Sequence, residues 1–341
     1  MIMKKCLTIV LLCLLTSTFL INAGAEEEKI YNNFIYTIEN NSAVIKGFIN
    51  AEEILTIPEE IDGYSVKKLE VNSGLSNKTK VIKVPKTVES FKYCSMIRQG
   101  KQLERVEVDK DNKYFKSING VLYNKKVTKM LLYPRNNPIK KYKEPDTIVG
   151  EFNEKFMNYI RDYSKLNNLE EITFSQNKKN ETVGYVVGCK KLKKVVIPKN
   201  VITVFGGDID NDGAFSYCEN LETVIFEKGS KTKYIPSLTF NNCNKLKNIK
   251  LPKSLKLIGY YAFYKCTSLK KITFPKKLKT IDEGAFHSCT NLKKIKLSKS
   301  IKKIKANAFR KTKLKKVVVY KSTKLSKKAF DKKCKVVRKK K

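Results

Sequence analysis

One pattern of apolar and polar positions recurs along the second half of the chain, from about residue 169 to residue 320. Residues 262–284 read AFYKCTSLKKITFPKKLKTIDEG, and residues 285–307 repeat the same apolar positions as AFHSCTNLKKIKLSKSIKKIKAN. The period is 23 residues, and Cys266 and Cys289 occupy the same position within it. A fixed period of this length predicts a solenoid, in which each unit buries its apolar face against its neighbours.

Each repeat begins with a predicted strand that ends at or near a proline. Examples are LKKVVIP (192–198), LKNIKLP (246–252) and LKKITFP (269–275). Alternation along the strand directs Ile272 and Phe274 inward and Lys271 outward, and the proline ends the strand because it lacks an N–H donor. A second short apolar pair follows. The next segment carries Ala-Phe and Cys, and we predict that it forms a single helical or 3₁₀ turn.

The N-terminus has the pattern of a secretory signal. Lys4 and Lys5 precede an apolar run from Leu7 to Ile21, and small residues follow at 23–25, so residues 1–25 are predicted to be a signal peptide. We therefore expect a secreted, extracellular chain that is held at the cell surface or released. No later segment approaches the length of a membrane span, so no transmembrane segment is predicted.

The rest of the chain is predicted to be one elongated domain. Residues 26–68 contain a hairpin pattern and are expected to form the N-terminal β cap that a solenoid needs at its end. Residues 69–337 are expected to form the solenoid, with an irregular β-hairpin insert at about 103–147. The hairpin is predicted because an Asn-Gly pair separates two strand patterns there. Residues 338–341 form a basic tail.

Lysine dominates the polar positions and brings the formal net charge to +39, which favours attraction to polyanions. The outward strand positions of successive repeats hold Lys194, Lys250, Lys271, Lys294, Lys296 and Lys316. Stacked strands lie ~4.8 Å apart, and like charges directly opposite each other destabilise a sheet. Two interpretations stay open: a solvated face filled by a lysine-rich composition, or a binding surface for an anionic glycan, a wall polymer or an acidic protein patch. Nucleic acid is disfavoured because no known reader module appears in this exported chain.

Five cysteines share one position of the repeat: Cys189, Cys218, Cys243, Cys266 and Cys289. We predict that they form a column of small, buried, reduced side chains. Disulfides between adjacent coils remain the alternative, because stacking brings neighbouring thiols close together.

The sequence predicts no catalytic residues and therefore a protein that is not an enzyme. The single histidine, His287, lies two residues from Cys289. The repeat directs Cys289 inward and His287 outward, whereas a Cys–His pair must share a hydrogen bond.

One segment matches the spacing of a calcium-binding loop. DIDNDGAFSYCE (208–219) places Asp208, Asp210 and Asp212 at alternate positions, with Gly213 at the turn and Glu219 at the twelfth place. Against calcium, two residues of the loop belong to the predicted core, and no flanking helices frame it. The alternative is an acidic turn whose charge is balanced by nearby lysines. No other cofactor is predicted.

Several phrases resemble the BspA-like leucine-rich repeat proteins of bacterial surfaces. They are the repeat AFxxCxxLxxIxLPxxLxxI, the entry phrase IDGYSVKKL (61–69), and the inserted phrase NKYFKSINGVLYNKK followed by MLLYP. The resemblance covers nearly all of residues 34–337. It implies a leucine-rich repeat solenoid with a parallel β-sheet on one face, in a secreted or surface-held protein that adheres to a host extracellular protein. The lysine surface adds an anionic surface as an expected partner, and the alternative is a structural protein retained by anionic wall polymers. We expect the chain to be non-enzymatic and monomeric.

Overall fold

The computed structural model describes residues 27–50, 52–71, 75–92, 100–149, 164–207 and 212–340. The signal peptide predicted for residues 1–25 lies outside this part of the chain.

The first eight strands build the N-terminal end of the molecule. They are β1 (Lys29–Tyr31), β2 (Phe34–Glu39), β3 (Ser42–Phe48), β4 (Ile54–Thr56), β5 (Glu60–Ile61), β6 (Tyr64–Glu70), β7 (Val81–Val84) and β8 (Ser90–Lys92). One sheet has the order β1-β2-β3-β6-β5, with β8 also paired to β6. Pairing is antiparallel from β1 to β3 and parallel from β3 through β6 to β8. Parallel stacking, the geometry of the solenoid, therefore begins within this sheet.

The middle of the chain adds β9 (Arg105–Val108), β10 (Phe115–Ile118), β11 (Val121–Asn124) and β12 (Met130–Leu132). β9 continues a parallel sheet with β4 and β7, in the order β4-β7-β9. β10, β11 and β12 form an antiparallel sheet. Asn119 and Gly120 connect β10 to β11 with φ angles of 52° and 78°, and positive φ at both central residues is the conformation of a two-residue hairpin turn.

The remaining fourteen described strands belong to the regular solenoid. They are β13 (Lys141–Lys143), β14 (Glu171–Thr173), β15 (Lys194–Ile197), β16 (Thr223–Phe226), β17 (Tyr234–Ile235), β18 (Asn248–Ile249), β19 (Leu257–Ile258), β20 (Lys271–Thr273), β21 (Thr280–Ile281), β22 (Lys294–Lys296), β23 (Lys303–Ile304), β24 (Lys316–Tyr320), β25 (Lys324–Leu325) and β26 (Lys335–Lys339). All their pairings are parallel.

These strands lie on two faces of the solenoid. The first face consists of β13-β14-β15-β16-β18, followed by the pairs β20-β22 and β24-β26. The second face consists of β17-β19-β21-β23-β25. The described part of the chain makes about 12 turns, so the solenoid predicted from the 23-residue period is confirmed.

A stack of phenylalanine rings runs through the core, one ring from each coil. Adjacent rings have centroids 4.9 to 5.4 Å apart and planes within 25° of parallel. All of them are buried: Phe215, Phe240, Phe263, Phe286, Phe309 and Phe330. Each inner ring contacts a ring above and a ring below, so the repeat has become a continuous apolar column.

The cysteine column is buried and unbridged, as predicted. The thiol of Cys266 donates a hydrogen bond to the carbonyl oxygen of Phe240 (3.3 Å), and the thiol of Cys289 donates one to the carbonyl oxygen of Phe263 (3.1 Å). Each thiol thus links its own coil to the preceding one. A small apolar side chain with a weak donor suits this position.

The helical turn predicted for the Ala-Phe-Cys segment is wrong, because the described residues contain turns there and no helix. The amides of Tyr264 and Cys266 donate to carbonyls three residues earlier, at Tyr261 and Phe263 (3.0 and 3.2 Å). Between them, the amide of Phe263 donates to Ala285 in the next coil (2.8 Å). Alternate donors therefore point along the solenoid axis, and a helix would need all of them inside its own coil. No helix of the described residues is long and apolar enough to cross a membrane.

Candidate functional site

The six lysines predicted to point outward lie on two neighbouring rows of the first face. Register pairs Lys271 with Lys294 in one row. Lys194 belongs to the same row further towards the N-terminus, and Lys316 belongs to it further towards the C-terminus, where it is level with Lys335. Lys250 directly follows β18 and Lys296 ends β22, so each lies two residues beyond the first row and forms part of the second row. The structure therefore brings the predicted lysines together on one face, although not in one unbroken row.

Acidic residues interrupt the lysine rows in the N-terminal half of the solenoid. Lys194 is level with Glu171, and the Nζ–Oε1 distance between them is 2.7 Å. In the adjacent row Lys193 pairs with Glu170 (2.8 Å). The ammonium of Lys193 holds the pKa of the Glu170 carboxyl below its usual value. Lys194, one of the six predicted binding residues, is therefore neutralised by a carboxylate of the preceding coil.

The acids nearly disappear beyond residue 245. Residues 245–341 contain 34 lysines and arginines and three acidic residues. In the row that begins with Glu170, Lys193 and Glu222, the next coils carry Lys247, Lys270, Lys293 and Lys315. Glu222 pairs with Lys247 (2.7 Å), whereas none of the described ion pairs involves the last three lysines of this row. The positive charge of the molecule is thus concentrated on the C-terminal coils, where Lys305 and Asp282 form an ion pair (2.7 Å) but few other acids are present.

The second face carries a further row that the sequence interpretation missed. Lys233, Lys256, Lys279 and Lys302 follow one another at intervals of 23 residues. The amide of each of the last three donates to the carbonyl of the lysine one coil earlier, at 2.7 to 2.8 Å. The 23-residue spacing could have revealed these lysines, but they lie outside the longer strand of each repeat. Both faces of the C-terminal coils are therefore basic.

The third side of the solenoid carries an aromatic cluster on its turns. Tyr261 packs edge-on against Tyr260 (4.3 Å between ring centroids) and against Tyr264 (5.0 Å). The ring of His287 stacks on Tyr264 (5.5 Å), and the Lys265 ammonium lies 5.2 Å from the centroid of the Tyr264 ring. Tyr260 is 47% exposed. The turns thus offer a second surface of a different chemistry, aromatic rather than basic.

His287 and Cys289 do not form a pair. The Cys289 thiol is fully buried, donates to the Phe263 carbonyl, and has a pKa raised by desolvation. His287 Nδ1 lies 2.9 Å from the hydroxyl of Ser288, and its pKa is lowered by burial and by the nearby charges of Lys311 and Arg310. The thiol faces the core and the imidazole faces the turn surface, which is the arrangement that the repeat predicted.

The acidic loop is described only in part. Asp208 and Asp210 lie outside the described residues. Asp212 is half-buried, and desolvation raises its pKa despite the opposing charge of Lys165. Glu219 lies 3.7 Å from the ammonium of Lys190. Calcium binding by Asp208, Asp210, Asp212 and Glu219 therefore stays a prediction.

Comparison with known proteins gives a family match over the C-terminal part of the chain. Residues 208–337 match a model described as the BspA type leucine rich repeat region, in six copies. No curated protein matches the chain significantly.

Several solved structures are similar to this chain. A leucine-rich repeat protein from Eubacterium ventriosum is 20% identical, with 85% of this chain and 96% of that chain covered and a TM-score of 0.55. A leucine rich cell surface protein from Faecalibacterium prausnitzii is 14% identical, with 92% and 95% covered and a TM-score of 0.42. At 20% identity, the likeness to the Eubacterium protein shows a shared fold.

Proposed function

We propose that this protein is a secreted or surface-held, non-enzymatic binding protein, because residues 208–337 match the BspA type leucine rich repeat region. Its C-terminal coils attach it to an anionic partner outside the cell. A solenoid stacks identical units and so displays a long, regular surface, which suits binding of extended partners.

The segregation of charge along the axis is the observation that supports this proposal. If lysine merely filled solvated positions, acids would accompany it equally in all coils. Instead, most described ion pairs, such as Lys194–Glu171 and Lys247–Glu222, lie before about residue 250. Residues 245–341 carry only three acids, one of which pairs with Lys305. Rows of like charge ~4.8 Å apart cost free energy unless they are screened or neutralised. A bound anion removes that cost.

Lysine footprinting in the presence of heparin tests the proposal. Chain lacking residues 1–25 is acetylated with and without heparin at low salt, and the modified lysines are identified by mass spectrometry. We expect heparin to protect lysines beyond residue 245 and to leave Lys78, Lys101 and Lys113 as reactive as before. These three are exposed lysines of the N-terminal part and serve as the internal control.

Binding must also weaken steeply with salt, because exposed charges act over only ~8 Å at physiological ionic strength. Absence of binding at low salt, or equal protection along the whole chain, contradicts the proposal. Salt-independent binding that protects the turns around Tyr264 assigns recognition to the aromatic cluster instead.

A further inference from the structure

The corner between the first and second faces has one construction in six successive coils. Each corner is a turn closed by an amide that donates to the carbonyl three residues earlier, at 3.0 to 3.3 Å. Leu278 and Pro275 are one such pair (3.1 Å). The corners are Pro198–Val201, Glu227–Ser230, Pro252–Leu255, Pro275–Leu278, Ser298–Ile301 and Tyr320–Thr323.

The second residue of every one of these turns is an exposed lysine. We call this row the corner ladder: Lys199, Lys228, Lys253, Lys276, Lys299 and Lys321. Lys199, Lys253 and Lys276 follow prolines, whereas the other three follow Glu227, Ser298 and Tyr320. Only the conserved turn geometry shows that the six residues are equivalent.

Strand register stacks the ladder along the solenoid axis. Ile197 is level with Phe226, which places Lys199 beside Lys228, and Val224 is level with Ile249, which places Lys228 beside Lys253. One coil rises ~4.8 Å, so the six lysines span roughly 24 Å. No other basic row runs through so many successive coils of the described chain. The rows of the first face are broken by Glu171, Thr223 and Asn248.

The charge around the ladder changes along its length. Near its N-terminal end a carboxylate oxygen of Glu227 accepts a hydrogen bond from the amide of Lys199 (3.2 Å). From Lys253 onward the flanking rows are themselves basic, with Lys250 and Lys296 on the first face and Lys279 on the second. The ladder is therefore a convex edge of positive charge between two basic faces.

We propose that the corner ladder is the binding site of a linear polyanion, which lies along the solenoid axis with its sulfate or phosphate groups against successive lysines. This inference rests on the proposed function and names its site. A single file of point charges on a convex edge fits an extended chain of oxyanions. Lysine ammonium groups bind tetrahedral oxyanions as point charges. The six positions carry no aromatic side chain, so the ladder itself provides no platform for stacking nucleic-acid bases.

Two charge-matched triple variants separate the ladder from the face. In the first, Lys253, Lys276 and Lys299 are replaced by Glu. In the second, Lys271, Lys294 and Lys316, which lie in the coils of Lys276, Lys299 and Lys321 and in the row predicted from the sequence, are replaced by Glu. We measure affinity for size-fractionated heparin fragments and for polyphosphate of defined lengths, at several salt concentrations.

We expect the ladder variant to lose affinity by about tenfold or more. The slope of log affinity against log salt concentration should also become shallower, by the amount expected for the loss of about three ionic contacts. The face variant should lose clearly less. Affinity should rise with polymer length until the fragment spans the roughly 24 Å of the ladder. Binding of heparin alone or polyphosphate alone supports the site and identifies the anion as sulfate or phosphate.

Equal loss in the two triple variants, or no dependence on length, overturns the corner ladder as the site while the proposed function stands. Failure of the unmodified protein to bind either polymer overturns both. A third variant with Gln at Lys253, Lys276 and Lys299 removes charge without adding acids. If its melting temperature matches that of the unmodified chain, its loss of affinity is not caused by unfolding.

Discussion

At the scale of single residues, the buried columns account for the stability of the solenoid. The Phe286 ring lies between Phe263 and Phe309, with centroids 4.9 and 5.2 Å away and planes within 5° of parallel. It is fully buried. Lys271, which begins β20 and points outward from the solenoid, is exposed and contributes charge rather than packing.

Phe286→Ala should therefore lower the free energy of unfolding by about 3–5 kcal/mol, the usual cost of removing a buried aromatic ring. Lys271→Ala should be neutral or slightly stabilising, because it removes one member of a like-charged pair with Lys294. Thermal unfolding of the two variants checks this. Equal shifts would contradict the assignment of inward and outward positions.

The thiols allow a second prediction at this scale. Cys189, Cys218, Cys243, Cys266 and Cys289 are 0% exposed, whereas Cys334 in the last coil is 8% exposed. Burial raises the pKa of the Cys266 thiol well above its usual value, and the thiolate is the reactive form. In a Cys94→Ser chain lacking residues 1–25, a thiol reagent should label Cys334 first and the other five only after denaturation. Mass spectrometry that finds disulfide-linked pairs among the five would contradict it.

At the scale of elements, two hairpins are closed by turns of one conformation in different surroundings. Asp62 and Gly63 have φ angles of 50° and 78° between β5 and β6, and Asn119 and Gly120 have 52° and 78° between β10 and β11. A Cβ at Gly63 would meet nothing within 4 Å, whereas one at Gly120 would lie 2.5 Å from the Cβ of Arg105.

Gly63→Ala should cost about 1 kcal/mol of stability, the penalty for a left-handed L-residue. Gly120→Ala should cost clearly more, because the same penalty is joined by a clash with β9. Chemical denaturation of the two variants measures both costs. Equal values would mean that β9 moves away from the turn without cost.

The N-terminal sheet holds a network of charges across β2, β3, β6 and β8. Lys46 lies 2.8 Å from Glu39 and 3.1 Å from Glu70, and Lys68 lies 2.9 Å from Glu39. Hydrogen bonds from Lys46, the larger contribution, and from Lys68 lower the pKa of Glu39 to about 2.

A lowered folded-state pKa means that Glu39 stabilises the fold fully above its unfolded pKa of about 4.5, and that this contribution is lost as the pH falls towards 2. Glu39→Gln should therefore lower stability at pH 7 and flatten the pH dependence between about 4.5 and 2. Denaturation curves at several pH values test this. A parallel loss at all pH values would show that the carboxylate charge is not responsible.

At the scale of the whole molecule, the two halves of the solenoid differ in charge balance although their strands pair in the same parallel way. Glu222 stands between Lys193 and Lys247 in its row, and it pairs with Lys247 (2.7 Å). Lys293 has the corresponding place between Lys270 and Lys315, one coil from each. The same position is therefore neutralising in one half and repulsive in the other.

Lys293→Glu should raise the melting temperature, because it replaces repulsion by exposed ion pairs worth roughly 0.2–1 kcal/mol each. Glu222→Lys should lower it for the converse reason. Both effects should shrink in high salt, since screening weakens exposed charges. Lys293→Gln is the control that removes repulsion without adding a pair. If the Glu and Gln variants melt alike at low salt, the added carboxylate forms no pair.

The sequence by itself determined the repeat, the apolar columns, the burial of the cysteines and the direction of Lys271. These follow from a local pattern of apolar and polar residues that recurs in successive coils. The Asn119-Gly120 turn was also predicted from the sequence, because positive φ at two successive residues favours such a pair.

Only the tertiary structure decided which polar residues become neighbours. Glu171 neutralises Lys194 across a coil boundary, and Lys228 joins the corner ladder although no proline precedes it. The Ala-Phe-Cys segment forms turns rather than a helix because alternate amides, such as that of Phe263, bond to the next coil. The physical reason is common to all three. The pairing of side-chain charges and of backbone hydrogen-bonding groups depends on contacts between coils, and the packing of the whole stack sets the register of those contacts.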